Sequence, residues 1–129
     1  MTKQDMLKYF EEYNSGDYEK TMKKYYTPDA VFESPDYKLE GRDEIIQFMT
    51  ESHKGMTEIM QIENMLVDGG LIAVEITAVI RVSEDRPDFH IRPLKKGDSI
   101  TLRMVAIYGT SDDRISSVKL YRFTKWSSV

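Results

Sequence analysis

Residues 71–83, LIAVEITAVIRVS, alternate in the way a strand covered on one side alternates. Ile72, Val74, Ile76, Ala78 and Ile80 share one face, while Glu75, Thr77 and Arg81 mark the other with Leu71, Ala73 and Val79. Successive strand side chains point to opposite faces, so this period of two gives one apolar face and one mixed face. Three more segments, EIMQIENMLVDG, SITLRMVAIYGTS and RISSVKLYRFTKW, are equally rich in β-branched and aromatic residues. Asp68-Gly69-Gly70, a long loop and Ser111-Asp112-Asp113 separate the four segments. Such a sheet needs helices over its apolar face.

The first part of the chain supplies them. KQDMLKYFEEYN places Met6, Leu7, Phe10 and Tyr13 at helical spacing. Asn14-Ser15-Gly16 stops that helix, and Asp17 can cap a second one, YEKTMKKYY. Thr27-Pro28 ends it, because the residue before proline avoids the α region. AVFES reads as a short strand closed by Pro35. A third helix starts at Gly41 or Arg42, with Asp43 and Glu44 in its first turn, an apolar face of Ile45, Ile46, Phe48 and Met49, and an end at Gly55. The expectation is α+β: one domain over residues 1–129, with three N-terminal helices packed on a strongly curved, mostly antiparallel sheet.

Composition narrows the function classes. At 129 residues the chain can bury roughly two thirds of its unfolded surface without covalent staples. It has no cysteine, which removes disulfides, thiol nucleophiles and thiolate metal sites. The net charge of −4 and the isolated pairs Lys23-Lys24 and Lys95-Lys96 argue against nucleic acid as partner. The first residues lack a signal peptide's apolar stretch, and the most apolar run is too short for a bilayer. A cytoplasmic protein without membrane contact is expected.

The stretch YFEEYNSGDYEKTMKKYYTPDAVFESPDYKLEGRDEIIQFM resembles the N-terminal half of nuclear transport factor 2-like, or SnoaL-like, proteins. The shared pattern is helix, N-x-G-D, helix, a PDA-x-F strand, and G-R-x-x-I opening the third helix; the long strands continue it over nearly the whole chain. The resemblance implies a cone-shaped apolar pocket, a small apolar ligand, no cofactor, and homodimers packed through the sheet. The superfamily includes polyketide cyclases, ketosteroid isomerase, dehydratases, epoxide hydrolases and non-enzymatic binding proteins, so function must be argued from the site.

In the steroid isomerase design, a carboxylate base works with an oxyanion hole of a tyrosine and a protonated aspartic acid. Matched by motif, the tyrosine is Tyr9 and the base position is Ser34. The third partner falls near Met104 and Val105, where no acid occurs. A serine hydroxyl is no base without a helper, so this chain lacks that particular site. Glu33 alternates with Phe32 and Ser34 and points outward if Phe32 points in. Asp36 follows a proline, where an aspartate commonly bonds its own backbone. His53, at the end of the third helix, could act as a general acid or base at the pocket mouth, or simply benefit from the helix dipole. His90 lies in the loop EDRPDFHIRPLKKGD, long enough to be functional, though a surface histidine is the plainer account. Two histidines are too few for a metal site.

Tyr13, Tyr26, Phe32, Phe48, Met56, Phe89, His90 and Met104 are the expected pocket lining, although the same spacing also builds an ordinary core. The candidate catalytic set is His53, Tyr9 and Ser34. Two readings stand nearly level: a cofactor-independent isomerase, dehydratase or cyclase acting on a small carbonyl or hydroxyl compound, and a non-catalytic binding module. A dimeric interaction domain stands behind them. A cavity above roughly 300 Å³ with an ionisable side chain projecting into it separates them.

Overall fold

A computed structural model describes residues 1–123. Three helices, α1 (Lys3–Tyr13), α2 (Tyr18–Tyr25) and α3 (Arg42–Ser52), accompany six strands: β1 (Tyr26–Glu33), β2 (Lys38–Glu40), β3 (Met56–Asp68), β4 (Leu71–Val82), β5 (Ser99–Ser111) and β6 (Arg114–Arg122). The strands form one open sheet in the order β2-β1-β6-β5-β4-β3. All pairs are antiparallel except β1 with β6. The expected extension of the last strand through residues 124–126 lies outside the described residues. No helix among the described residues is long and apolar enough to cross a membrane.

The N-x-G-D motif has a local physical reason. The Asn14 amide donates to the Met60 carbonyl at 3.0 Å and accepts from the Met60 N–H at 2.8 Å, standing in for a neighbouring strand at the edge of β3. Gly16 adopts φ +88°, which a side chain would oppose, and the Asp17 carboxylate caps α2 by accepting from the Lys20 N–H. The motif therefore fastens α1 and α2 to the sheet edge.

The inner face of β4 is the expected one: Ile72, Val74, Ile76, Ala78 and Ile80 are buried. On α1, Met6, Phe10 and Tyr13 are buried as expected, while Leu7 is exposed and Tyr9 is buried in its stead. The strand expected at AVFES starts earlier, at Tyr26, and carries Pro28 near its beginning. The short strand β2 has no counterpart in the sequence reading. It forms because Ser34 closes a tight turn: its N–H donates to the Tyr37 carbonyl, and its hydroxyl accepts from the N–H groups of Asp36 and Tyr37.

Loop 84–98 is anchored. Phe89 and Leu94 are buried against Ile80, Val82 and Ile100 in a second small core, and Arg86 and Leu94 pair through their backbones. On the outer face, Glu75 accepts a hydrogen bond from the Asn64 amide, and Arg103, Lys119 and Tyr121 are exposed.

Candidate functional site

The C-terminus of α3 and the start of β3 meet at a buried carboxylate. His53 caps α3, Gly55 turns the chain at φ +70°, and Glu58, 9% exposed, enters the interior two residues into β3. His53 Nε2 lies 3.0 Å from Glu58 Oε1, and the Tyr13 hydroxyl donates to the same oxygen at 2.6 Å. On the other side of the ring, Nδ1 is 2.7 Å from the Met49 carbonyl and 3.2 Å from the Ser52 hydroxyl. A carbonyl only accepts, so Nδ1 is assigned the proton and Nε2 faces Glu58. Two bare acceptors would repel at 3.0 Å, so a proton lies between imidazole and carboxyl. Tyr18 packs on the ring with centroids 4.6 Å apart.

Burial pushes the Glu58 carboxyl up, but the His53 hydrogen bond and charge and the Tyr13 hydroxyl outweigh it, leaving it below the usual glutamate range. The Tyr13 hydroxyl is raised well above its ordinary value, by burial first and then by the Glu58 charge.

A cavity of about 60 Å³ adjoins this pair. Phe32, Phe48, Met49, Leu102, Met104 and Leu120 give it an apolar wall, and Phe89, His90 and Ile91 of the loop line it as well. This falls well short of the cavity above roughly 300 Å³ that the sequence reading set as its criterion, and of drug-sized sites generally. Ionisable side chains do line it: His53, Glu58, His90 and Arg122. His53 and Glu58 also border an outer groove of about 400 Å³ beside Asn14–Glu19, so the pair stands between the cavity and the exterior.

A second polar group faces the cavity from β6 and the loop. Arg122 donates to both Asp36 oxygens, Nη1 to Oδ2 at 2.6 Å and Nη2 to Oδ1 at 3.3 Å. His90 Nε2 is 3.8 Å from Asp36 Oδ2. The Arg122 hydrogen bond holds the Asp36 carboxyl below its usual range, against a smaller effect of burial. Burial lowers His90, with Asp36 opposing. The expected backbone role of Asp36 belongs instead to Ser34, whose hydroxyl takes the turn N–H groups and leaves the Asp36 carboxylate to Arg122.

The expected site residues divide accordingly. His53, Tyr13, Phe32, Phe48, Phe89, His90 and Met104 line the cavity. Tyr9 and Tyr26 do not; they are buried in the core under α1, where their hydroxyls bond each other at 2.7 Å. Ser34 sits in the β1–β2 turn beside a separate surface depression with Lys119–Tyr121, and Met56 borders the outer groove. Glu58 and Arg122 were absent from the expected set. Alternation carries β6 inward from Val118 through Leu120 to Arg122, and His53 to Glu58 spans a glycine turn, but both signals need the strand register first. Among the described residues no group of three or more His, Asp or Glu is placed to hold a metal.

Arg86 ties the loop to the histidine. Its Nη1 donates to the carbonyls of Ser52 (2.8 Å) and Lys54 (2.6 Å), on either side of His53. The Ser52 carbonyl belongs to the last turn of α3 and has no partner inside the helix, and the Lys54 carbonyl lies in the turn that follows.

The lowered Glu58 value has a definite sign in stability. A carboxyl depressed on folding stabilises fully above its unfolded value, about 4.3, and loses that contribution as pH falls through its folded value. The stability gap between the wild type and Glu58→Gln, measured by denaturant titration, should shrink as pH falls below about 4. A gap that widens in acid would contradict the assignment.

A family model for the SnoaL-like domain matches residues 6–118. No protein among curated relatives matches. A candidate SnoaL-like polyketide cyclase from Shewanella denitrificans OS-217 superposes with TM-score 0.78 at 25% identity, covering 93% of this chain and 88% of its own. A candidate polyketide cyclase from Xanthomonas campestris pv. campestris gives 0.76 at 18% identity, covering 88% and 83%. An LEH-like epoxide hydrolase from M. tuberculosis gives 0.67 at 14% identity, covering 85% and 73%. The last two are similar in fold alone. With its helices, open sheet and nearly full-length match, this chain belongs to the SnoaL-like domain family, within the nuclear transport factor 2-like superfamily.

Proposed function

We propose that the chain binds a small carbonyl or hydroxyl compound in the apolar cavity and moves a proton on it without a cofactor, as an isomerase, dehydratase or cyclase does. The observation that carries this reading is the buried Glu58 carboxylate at the cavity wall, sharing a proton with His53. Both of its hydrogen bonds fall on Oε1, so Oε2 carries neither. A carboxylate oxygen in a low-dielectric wall is a competent base for a proton next to a carbonyl, provided its conjugate acid has an outlet. His53 offers that outlet, since it borders the outer groove as well. Ser34 and Tyr9 have no part in this scheme; Glu58 takes their place beside His53. The cone, closed at its mouth by loop 84–98, admits a ligand of only a few heavy atoms.

A second reading keeps the pocket and drops the chemistry. Arg86 and the small loop core make the site rigid, which suits a binding module equally well. The two separate on one experiment, deuterium uptake at the α carbons of 2-pentanone in D₂O followed by NMR. The wild type should accelerate uptake over buffer, and Glu58→Gln should lose roughly 100-fold or more of that acceleration. Equal rates for the two proteins would leave the binding reading standing.

The outer face of the sheet offers a dimer contact, in a cytoplasmic homodimer. Ala73, Val79, Val105 and Ile107 lie there half-buried, and Leu66 and Leu71 are exposed at the β3–β4 turn. Sedimentation at micromolar concentration should show a dimer, with Val105→Glu shifting it to monomer. A wild type that sediments only as monomer would remove the proposal.

A further inference from the structure

The cavity has two polar ends and an apolar middle. Glu58, His53 and Tyr13 form one end, from α1, α3 and β3; Arg122 and His90 form the other, from β6 and the loop. Asp36 holds Arg122 through one N–H on each of Nη1 and Nη2, and Asp36 is not itself part of the cavity wall. A guanidinium has five N–H donors in a fixed plane, so three remain beyond the pair. The carboxylate thus does two things: it fixes the plane of Arg122, and it cancels its charge.

The charge balance of the whole wall follows. Arg122 and Asp36 sum to zero. His53 and Glu58, sharing one proton, also sum to zero in either arrangement. His90, lowered by burial, is neutral at pH 7. An anion entering this wall would give up its hydration with no net positive charge to meet it, which is costly. A neutral oxygen acceptor meets an oriented, charge-assisted donor, which is favourable. At about 60 Å³, with about 10–15 Å³ for each water-sized group, the space takes about four to six such groups.

Building on the reading of this cavity as the ligand site, we infer that its ligand is a neutral molecule of about six heavy atoms with two oxygens, one set against Glu58 and His53 and the other accepting from Arg122. Carboxylates and phosphates are excluded by the Asp36 counter-charge rather than by size. If the Glu58 end removes a proton next to a carbonyl whose oxygen lies at Arg122, the C–H pair moves into an enolate, its negative oxygen takes the Arg122 N–H donors, and the proton stays on the Glu58–His53 pair. Selection and stabilisation then rest on the same side chain.

Three probes of nearly equal size separate the possibilities: 4-hydroxy-2-butanone (neutral, two oxygens), 2-pentanone (neutral, one oxygen) and acetoacetate (anionic). Binding is read from the ¹³C-methyl signals of Met49, Met60 and Met104, which line the cavity and need no turnover. The hydroxyketone should bind at least about ten-fold tighter than 2-pentanone, the usual worth of a hydrogen bond to a charged group. Acetoacetate should bind weakest. Arg122→Met should close the gap between the two ketones. Asp36→Asn, a near-isosteric change, should raise acetoacetate affinity above that of both ketones by freeing the Arg122 charge. Equal affinities for the ketones, acetoacetate as the tightest wild-type ligand, or no gain for acetoacetate in Asp36→Asn would overturn the inference while leaving the cavity a ligand site. Silence of all three methyl signals towards every probe would overturn the ligand-site reading and the inference together.

Discussion

A carboxylate taken out of water is tolerated only where hydrogen bonds and opposite charge replace its hydration, and Glu58 meets that condition with partners from separate parts of the chain. Tyr13 comes from α1, His53 from the end of α3, and Glu58 itself from the edge strand β3. Each must be held in place for the others to work. The Asn14 amide locks the end of α1 to β3 at Met60, two residues from Glu58. The Met49 carbonyl fixes the His53 ring, and Arg86 holds the carbonyls on either side of it. The site is therefore a junction of helix ends and a strand rather than a feature of any one element.

Loop 84–98 shares this junction. Its Phe89 and Leu94 are buried, its His90 and Ile91 face the cavity, and its Arg86 reaches back to α3. One side chain thus connects a loop that lines the cavity with the helix end that presents His53. Displacing the loop would leave the part-buried Ser52 carbonyl without its donor, at a cost on the order of 1–3 kcal/mol where it stays buried, and turn the Lys54 carbonyl over to water. That favours a small cavity.

The architecture was legible because it rests on local pattern. Period-two alternation in residues 71–83 set the inner face of β4, and Asp17 and Gly41 marked helix starts at the observed positions. Leu7 was misplaced because two neighbouring helical stripes on α1 fit nearly equally, and tertiary packing chose the one through Tyr9. The site was only half legible. His53, His90 and the aromatic wall stood out by residue type. Glu58 and Arg122 did not, since a glutamate near a strand start and an arginine near a strand end read as solvated charges until pairing fixes their direction. Ser34 was informative for a different reason from the one motif matching suggested. Its hydroxyl serves the turn, which frees Asp36 to hold Arg122.

Nitrogen NMR of the His53 ring tests the central claim most directly, because Nδ1 and Nε2 report separately whether each carries a proton. At neutral pH the account expects a protonated Nδ1 bound to the Met49 carbonyl, with an Nε2 signal that moves when Glu58 is replaced by glutamine. A bare Nδ1, or an Nε2 signal indifferent to that replacement, would contradict it.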